Sequence, residues 1–527
     1  MEKLLRDLRW ILPTSLVVGL ALSLLGPGSW WIGWLAYSLI LLLGIAAISA
    51  LWRTSGASKT TGLMLLLALG LRLGLGMALS YVLPPYGNDT PVQNAGYIFS
   101  DAYQRDSQAW DLATAPGSLL KAFDRSSSVD QYGGLLLISS LMYRFFSPDA
   151  HRPWLIVLLA ALVSGMGVVL AYRASRRAWG ERTGLVVGWV MALFPESILL
   201  GASQMREPFL IAFISMGFYG AVNWAENRLI SSAWIAAGIA GLLLFNPGVA
   251  AAAVIFLAVW FWLSRKERRI RWWAWVATGG PVLLAALLFI LALRGSTSVT
   301  GGWLASLLDW FRFSANYDAS VLELNSGWLQ NVFKILPSPL HMPFIVGYGI
   351  AQPVLPAAIA DPAVWPMRVV GILRGLGWYT LLPFLVYSLR SILKITDKRE
   401  RLAWLWLWAA SWVWILLSSL RAGGDQWDNP RYRVILLIFQ AALAAQALVW
   451  QRATRDRWLG RFLAVEGVFL LFFGYWYFAR YTQWAAGQVH VLIVIALIVF
   501  FSAVILITGW LRDRQKAGEA NRSGQGK

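Results

Sequence analysis

From Trp154 to Tyr172 the chain carries no charged side chain, and comparable apolar runs recur along most of its length. A hydrocarbon core of ~30 Å takes about 20 helical residues to cross, and these runs have that length. Only 13% of the 527 residues are charged, against about 25% in soluble domains. The runs are not the period-2 segments of about 10 residues that mark an outer-membrane barrel. The expected fold is therefore an all-α polytopic membrane protein with about 14 transmembrane helices and two large extracytoplasmic loops.

The spans read as 10–26, 30–51, 61–83, 154–172, 183–203, 206–225, 230–245, 248–263, 272–293, 368–392, 402–420, 434–450, 462–479 and 489–511. The net charge of +19 would suit nucleic acid, but no compact basic domain carries it. It is spread over short clusters beside apolar spans, among them RASRRAWGER, SRKERRIR, KITDKRER and RDRQK. Basic loops of that kind mark the cytoplasmic side, where they meet anionic lipid. The partners expected are thus membrane lipids and no nucleic acid. Both termini fall in the cytoplasm of a multi-pass protein of the cell membrane. The N-terminal run continues into a second span without a small-residue cleavage site, so it reads as an anchor.

This divides the chain into an N-terminal transmembrane hairpin (1–60), a transmembrane core (61–293) and a second outer loop (294–367). C-terminal transmembrane helices (368–511) and a cytoplasmic basic tail (512–527) follow. The core contains the first outer loop (84–153). Within that loop, QYGGLLLISSLMYRFF is apolar, yet counting it as a span would put RASRRAWGER outside. It reads as an amphipathic helix lying in the interface. No internal repeat of the kind found in many transporters is present.

Cysteine is absent, which removes disulfides and thiolate chemistry. His151, His341 and His490 are scattered, and neither an HExxH spacing nor a Walker loop occurs. The chemistry lies with acids and arginines at the outer ends of spans. In GYIFSDAYQRDSQAWDLA, Asp101 and Asp106 are candidate catalytic bases. A carboxylate at the edge of an apolar cleft is desolvated, which raises its basicity and suits it to take a proton from a hydroxyl. Asp101 directly follows the apolar GYIFS and stands nearer the membrane edge. The turn QMREP fixes Arg206 and Glu207 between two apolar helices. An arginine there can fork onto a lipid phosphate, and Glu207 can support the base or ligate a metal. In DNPRYR, Arg431, Tyr432 and Arg433 open a late span on the side where basic residues are sparse, and a phosphate or pyrophosphate is the natural partner. Plainer roles remain open for each: a solvated loop helix, an interfacial Arg–Glu pair, headgroup anchoring. Inside the spans, Arg72 and Glu196 are the kind of buried charges that pair or function, and depth alone would let them pair with each other. The 32 tryptophans read chiefly as interfacial anchors.

The arrangement resembles the GT-C membrane glycosyltransferases, the protein O-mannosyltransferases and the lipid A aminoarabinose transferases in particular. The matching pieces are Asp101 or Asp106 in the first loop, FPESILLGASQMREPF with Glu207, and NPRYR at 429–433. YGGLLLISSLMYRFF resembles the juxtamembrane helix that follows the first-loop Asp. Two departures stand out: a hairpin (10–51) precedes the family's usual first span, and the common Asp-Glu doublet is replaced by Asp101-Ala102 and Asp106-Ser107. The resemblance implies a polyprenyl-phosphate-linked sugar donor, inversion at the anomeric carbon and an extracytoplasmic active site. The acceptor stays open among lipid, glycan and protein. No cofactor is implied with certainty, and a divalent cation (Mg or Mn) stays open. A transporter or lipid flippase is the alternative from another class, and a polysaccharide polymerase or ligase lies close in chemistry.

Overall fold

In a medium without water each backbone N–H and C=O must find its partner within the chain, and the apolar runs accordingly become helices. The computed structural model describes residues 2–54, 56–123, 132–264, 333–482 and 489–524. No strand occurs among the described residues. The chain is an all-α polytopic membrane protein: eleven helices are long and apolar enough to cross a membrane, or twelve if one bent pair counts as a span.

The first three are α1 (Glu2–Leu25), α2 (Trp30–Thr54) and α3 (Lys59–Tyr86). A segment of short helices follows: α4 (Pro91–Asn94), α5 (Ser100–Thr114) and α6 (Gly134–Phe146). Next come α7 (Trp154–Trp179), the bent pair α8 (Glu181–Leu193) and α9 (Pro195–Gly201), α10 (Glu207–Asn223), α11 (Arg228–Phe245) and α12 (Pro247–Ser264). Beyond residue 332 the chain forms α13 (His341–Ala351), α14 (Leu355–Ala360), α15 (Trp365–Leu393), α16 (Lys398–Ala422) and the short α17 (Asp428–Arg433). It ends with α18 (Leu437–Thr454), α19 (Trp458–Thr482) and α20 (Val491–Gly524).

Among the described residues the count of about 14 expected from charge alternation is not confirmed. The span expected at 272–293 lies outside the described residues, and α10, with 17 residues, is short for a crossing. Much of the second expected loop (294–367) also lies outside them, and its described part is largely helical, holding α13 and α14. α6 is a separate helix whose Leu135, Leu136 and Tyr143 are buried while Phe145 is 68% exposed, the two-faced pattern its sequence predicts.

α7 lies at the centre, with 78% of its most apolar window buried, and α20 at the margin, with 6%. Small residues let the central helices approach. A Cβ added at Gly167 of α7 would stand 3.0 Å from the Cα of Ala212 in α10, the close backbone contact that membrane bundles use in place of a hydrophobic drive. At one end of the bundle, ion pairs join the basic clusters: Arg177 to Glu226, Arg390 to Asp456 at 3.0 Å and Arg461 to Asp513 at 2.6 Å. α4, α5, α6, the turn 202–206 and α17 gather at the other end.

Arg72 and Glu196 do not pair with each other, although depth alone would allow it. The carbonyl of Met191 would ordinarily accept from the residue four places on, which is Pro195 and has no N–H. Arg72 Nη2 supplies that donor at 3.0 Å, and its Nη1 reaches the carbonyl of Ala192 at 3.1 Å. Arg72 thereby fills the 51° bend between α8 and α9. Glu196 is taken by Arg374 of α15, with Nε 2.6 Å from Oε2 and Nη2 3.1 Å from Oε1.

Candidate active site

α5 starts after Phe99 and carries Asp101 in its first turn, where the helix dipole favours an acid. Asp106 is five residues on, about 140° round the helix, so the two carboxylates face different surroundings. Asp106 is 2% exposed. It accepts hydrogen bonds from the hydroxyls of Tyr97 and Tyr143, and His151 Nε2 lies 2.8 Å from its Oδ2. Burial and then the Asp106 charge push both tyrosines well above the usual phenol range, so they stay protonated and keep donating. His151 in turn stacks on Trp110 with ring centroids 5.2 Å apart. Asp106 thus fastens α5 to α6 and to the segment leading into α7. Arg144 of α6 adds bonds to the carbonyls of Leu112 and Ala113 at the far end of α5.

Asp101 turns instead toward α17. Its Oδ2 lies 2.9 Å from Arg431 Nη2, with the Asp101 side chain 43% exposed and that of Arg431 6%. Arg431 Nε is 3.3 Å from Asp428 and 3.9 Å from Glu207. Nη2 also donates to the hydroxyl of Tyr432 at 3.0 Å, and that hydroxyl donates to Asp428. Glu207 is buried at the start of α10, and its Oε2 has no hydrogen-bond partner. One arginine is therefore ringed by Asp101, Glu207 and Asp428. Arg206 lies against the Tyr132 ring at 5.3 Å.

The basicity expected of Asp101 from desolvation is reversed. Burial does raise its affinity for a proton. The charge and hydrogen bond of Arg431, with the charges of Arg105 and Arg206, outweigh that and hold the carboxyl below its usual range. In this arrangement Asp101 is an ionised partner of Arg431, and becomes a stronger base only when Arg431 is drawn elsewhere.

Arg433, grouped with Arg431 in the sequence, faces away. Two residues along a helix is a turn of about 200°. Arg433 lies 3.3 Å over the Trp378 ring and donates to the carbonyl of Gln352 at 2.8 Å, while Asn429 donates to that of Gly349 at 2.7 Å. These two residues anchor α17, so that Arg431 faces Asp101 and Glu207. The structure thus brings Asp101, Glu207, Arg431 and Tyr432 together, sets Arg206 near them, and places Asp106 and Arg433 in buried supporting contacts.

Sequence reading did not single out Asp428, Arg105, Tyr97, Tyr143, His151 or Arg374. Asp428 had a signal, three residues before Arg431 on a helix and so on the same face. The others are assembled by tertiary contact. Among the described residues no group of three or more His, Asp or Glu side chains is placed to hold a metal ion. Arg431 lies among the three carboxylates as their shared counter-charge.

No family model matches the sequence, and no curated protein matches it. Among solved structures the chain is similar to the oligosaccharyltransferase of Archaeoglobus fulgidus in complex with Zn and sulfate. The identity is 13% and the TM-score 0.37, covering 81% of this chain and 53% of that one. A second structure of that enzyme, tethered to an acceptor peptide containing the NVT sequon, gives 11% identity and a TM-score of 0.36, covering 87% and 55%. The chain spans about half the length of these proteins.

Proposed function

We propose that this protein is a GT-C-type membrane glycosyltransferase that moves a sugar from a polyprenyl-phosphate-linked donor to a hydroxyl acceptor on the extracytoplasmic face. The observation that carries the reading is the half-exposed Asp101 resting on the buried Arg431. It is a base and a phosphate ligand held as a pair before either has substrate. The donor phosphate competes with Asp101 for Arg431, whose planar fork suits two phosphate oxygens. Arg206 adds charge beside it. As Arg431 turns to the phosphate, Asp101 loses its main counter-charge and its basicity rises. Asp101 then takes the proton of the acceptor hydroxyl while the acceptor oxygen bonds to the anomeric carbon. The bond from that carbon to the phosphate oxygen breaks, and its electron pair leaves on the phosphate, where Arg431 meets the growing charge. Asp106 serves by holding α5, and Glu207 by orienting Arg431. The basic end of the bundle, with both termini, would be cytoplasmic.

A transporter is the second reading, and the observation that favours it is the bent α8–α9 span with buried charges, a feature of transporter sites. Those charges are closed on partners of their own: Glu196 on Arg374, Arg72 on backbone carbonyls and Ser197. The test is a titration of the protein in nanodiscs with a long polyprenyl phosphate and, separately, the matching polyprenol. Arg431→Ala should weaken binding of the phosphate about tenfold, ~1.4 kcal/mol, and leave the polyprenol unaffected. Equal binding of the phosphate by both proteins refutes the assignment.

A further inference from the structure

Asp101 and Arg431 meet because two helices begin side by side. α5 starts after Phe99, two residues before Asp101, and α17 starts after Trp427, four residues before Arg431. The residue at a helix start is ordinarily Ser, Thr, Asp or Asn, whose side-chain oxygen takes a free backbone N–H. Both starts here carry an aromatic ring instead, and neither ring residue makes a side-chain cap bond. The two rings touch each other: Phe99 and Trp427 stand edge to face, their planes 87° apart and their centroids 5.8 Å apart.

Trp427 is held a second time, by Arg374. Nη2 of Arg374 donates to the Trp427 carbonyl at 3.1 Å, and its guanidinium carbon lies 4.6 Å from the centroid of the Trp427 ring. The N–H groups of Trp427 and Asp428 are taken by Asp425 Oδ1, at 2.6 and 3.1 Å. Arg374 is itself 3% exposed and forked on Glu196 of α9. A planar guanidinium can fork onto a carboxylate, reach a carbonyl and lie over a ring at once, which an ammonium cannot. A line of contacts thus runs from the bent span through Glu196, Arg374 and Trp427 to Phe99 at the start of α5.

Asp101 and Arg431 do not set the spacing of the two helices by themselves. Their pair is open to solvent on the Asp101 side, and pairs of that kind are weak. On the transfer reading it also opens when the donor phosphate draws Arg431 away. The ring contact has Phe99 buried beneath it, and Arg374 is already committed to Glu196. We propose that Trp427 is a positioning residue for the transfer site. Held by Arg374, its ring sets the spacing between α5 and α17 and keeps Asp101 in place once Arg431 has turned to the phosphate. The kinetic consequence rests on the transfer reading, and the spacing does not.

The chain has no cysteine, so nitroxides can be placed by Thr114→Cys at the far end of α5 and Gln426→Cys beside α17, both exposed positions. Double electron–electron resonance on the full chain in nanodiscs then reads the spacing. The doubly labelled parent should give one narrow distance, the same with and without a long polyprenyl phosphate, and Trp427→Ala should broaden or shift it. In native membranes Trp427→Ala should lower turnover about 10²-fold, the cost of a ~1 Å misplacement, with binding of polyprenyl phosphate undiminished. Trp427→Phe, which keeps a ring for both contacts, should recover most of the loss. Should Trp427→Ala fail to fold, Phe99→Leu removes the partner ring and should broaden the distance in the same way. An unchanged distance in the folded variant, a parent distance that moves with phosphate, Trp427→Phe no better than Trp427→Ala, or a loss of phosphate binding that matches the loss of turnover would each overturn the proposal. A broadened distance with no transfer by the parent protein supports the spacing role and refutes the transfer reading alone.

Discussion

Replacing Asp101 by Asn should move affinity and turnover in opposite directions, which no purely structural role would do. In the resting cluster Asp101 holds Arg431 at 2.9 Å and competes with the donor phosphate for it. Two unit charges at about that distance interact by several kcal/mol at an effective dielectric near 20. Asp101 is 43% exposed, however, and pairs reached by solvent measure ~0.2–1 kcal/mol. The upper end applies because Arg431 itself is buried. Losing ~1 kcal/mol of competition should tighten binding of a polyprenyl phosphate about fivefold. Asn keeps the shape of Asp but cannot take a proton, so turnover should fall by at least ~10²-fold. The assays are a titration in nanodiscs and, in native membranes, release of polyprenyl phosphate from its sugar-loaded form. Unchanged or weakened phosphate affinity refutes the competition, and a normal rate refutes Asp101 as the base.

Asp106→Asn should act through the fold: it disturbs a buried acceptor of two tyrosine hydroxyls, and a loss of ~1–3 kcal/mol should appear as a lower thermal midpoint. A change in rate at unchanged stability would instead make Asp106 the reacting carboxylate. Removing one partner of the Glu196–Arg374 pair, as in Arg374→Met, should destabilise by ~3–5 kcal/mol, whereas Glu196→Met with Arg374→Met should recover most of that; thermal unfolding of the three proteins decides it. Cysteines introduced singly at Ser118 and Ser264 lie toward opposite ends of the bundle. An impermeant thiol reagent on intact cells should label the first and spare the second, and the reverse pattern would overturn the proposed orientation.

The helices were legible because an apolar run long enough to cross a membrane has no other way to satisfy its backbone. Asp101, Glu207 and Arg431 were legible as types at the ends of spans, and the contacts among them form only when α5, α10 and α17 converge. The diversion of Arg433 could have been read from helical spacing, since neighbours two apart cannot share a face. The Arg72–Glu196 pairing failed for a subtler reason. Proline at 195 creates a demand for a backbone donor that outranks the attraction between two charges, and Arg374 stands among apolar residues that give no hint of its partner. The lowered proton affinity of Asp101 depends on arginines from three separate segments, a sum that no local window contains.

The bend at Pro195 also bears on how the chain is assembled. Synthesis runs from the N-terminus, so α3 reaches the bilayer while α8 and α9 are still unmade. During that interval Arg72 is a charge at membrane depth with only the carbonyl of Ala68 in its own helix to donate to, a burden of ~2.5–3.5 kcal/mol by insertion measurements. Arrival of α8 and α9 ends it, because the carbonyl that proline leaves bare and the guanidinium that α3 has carried satisfy one another. The two defects are made at different times and cancel only in the joined structure. Docking of α8 and α9 against α3 is thus driven from both sides, and a chain permuted so that α3 was made last would have to insert the broken span with its carbonyls uncovered.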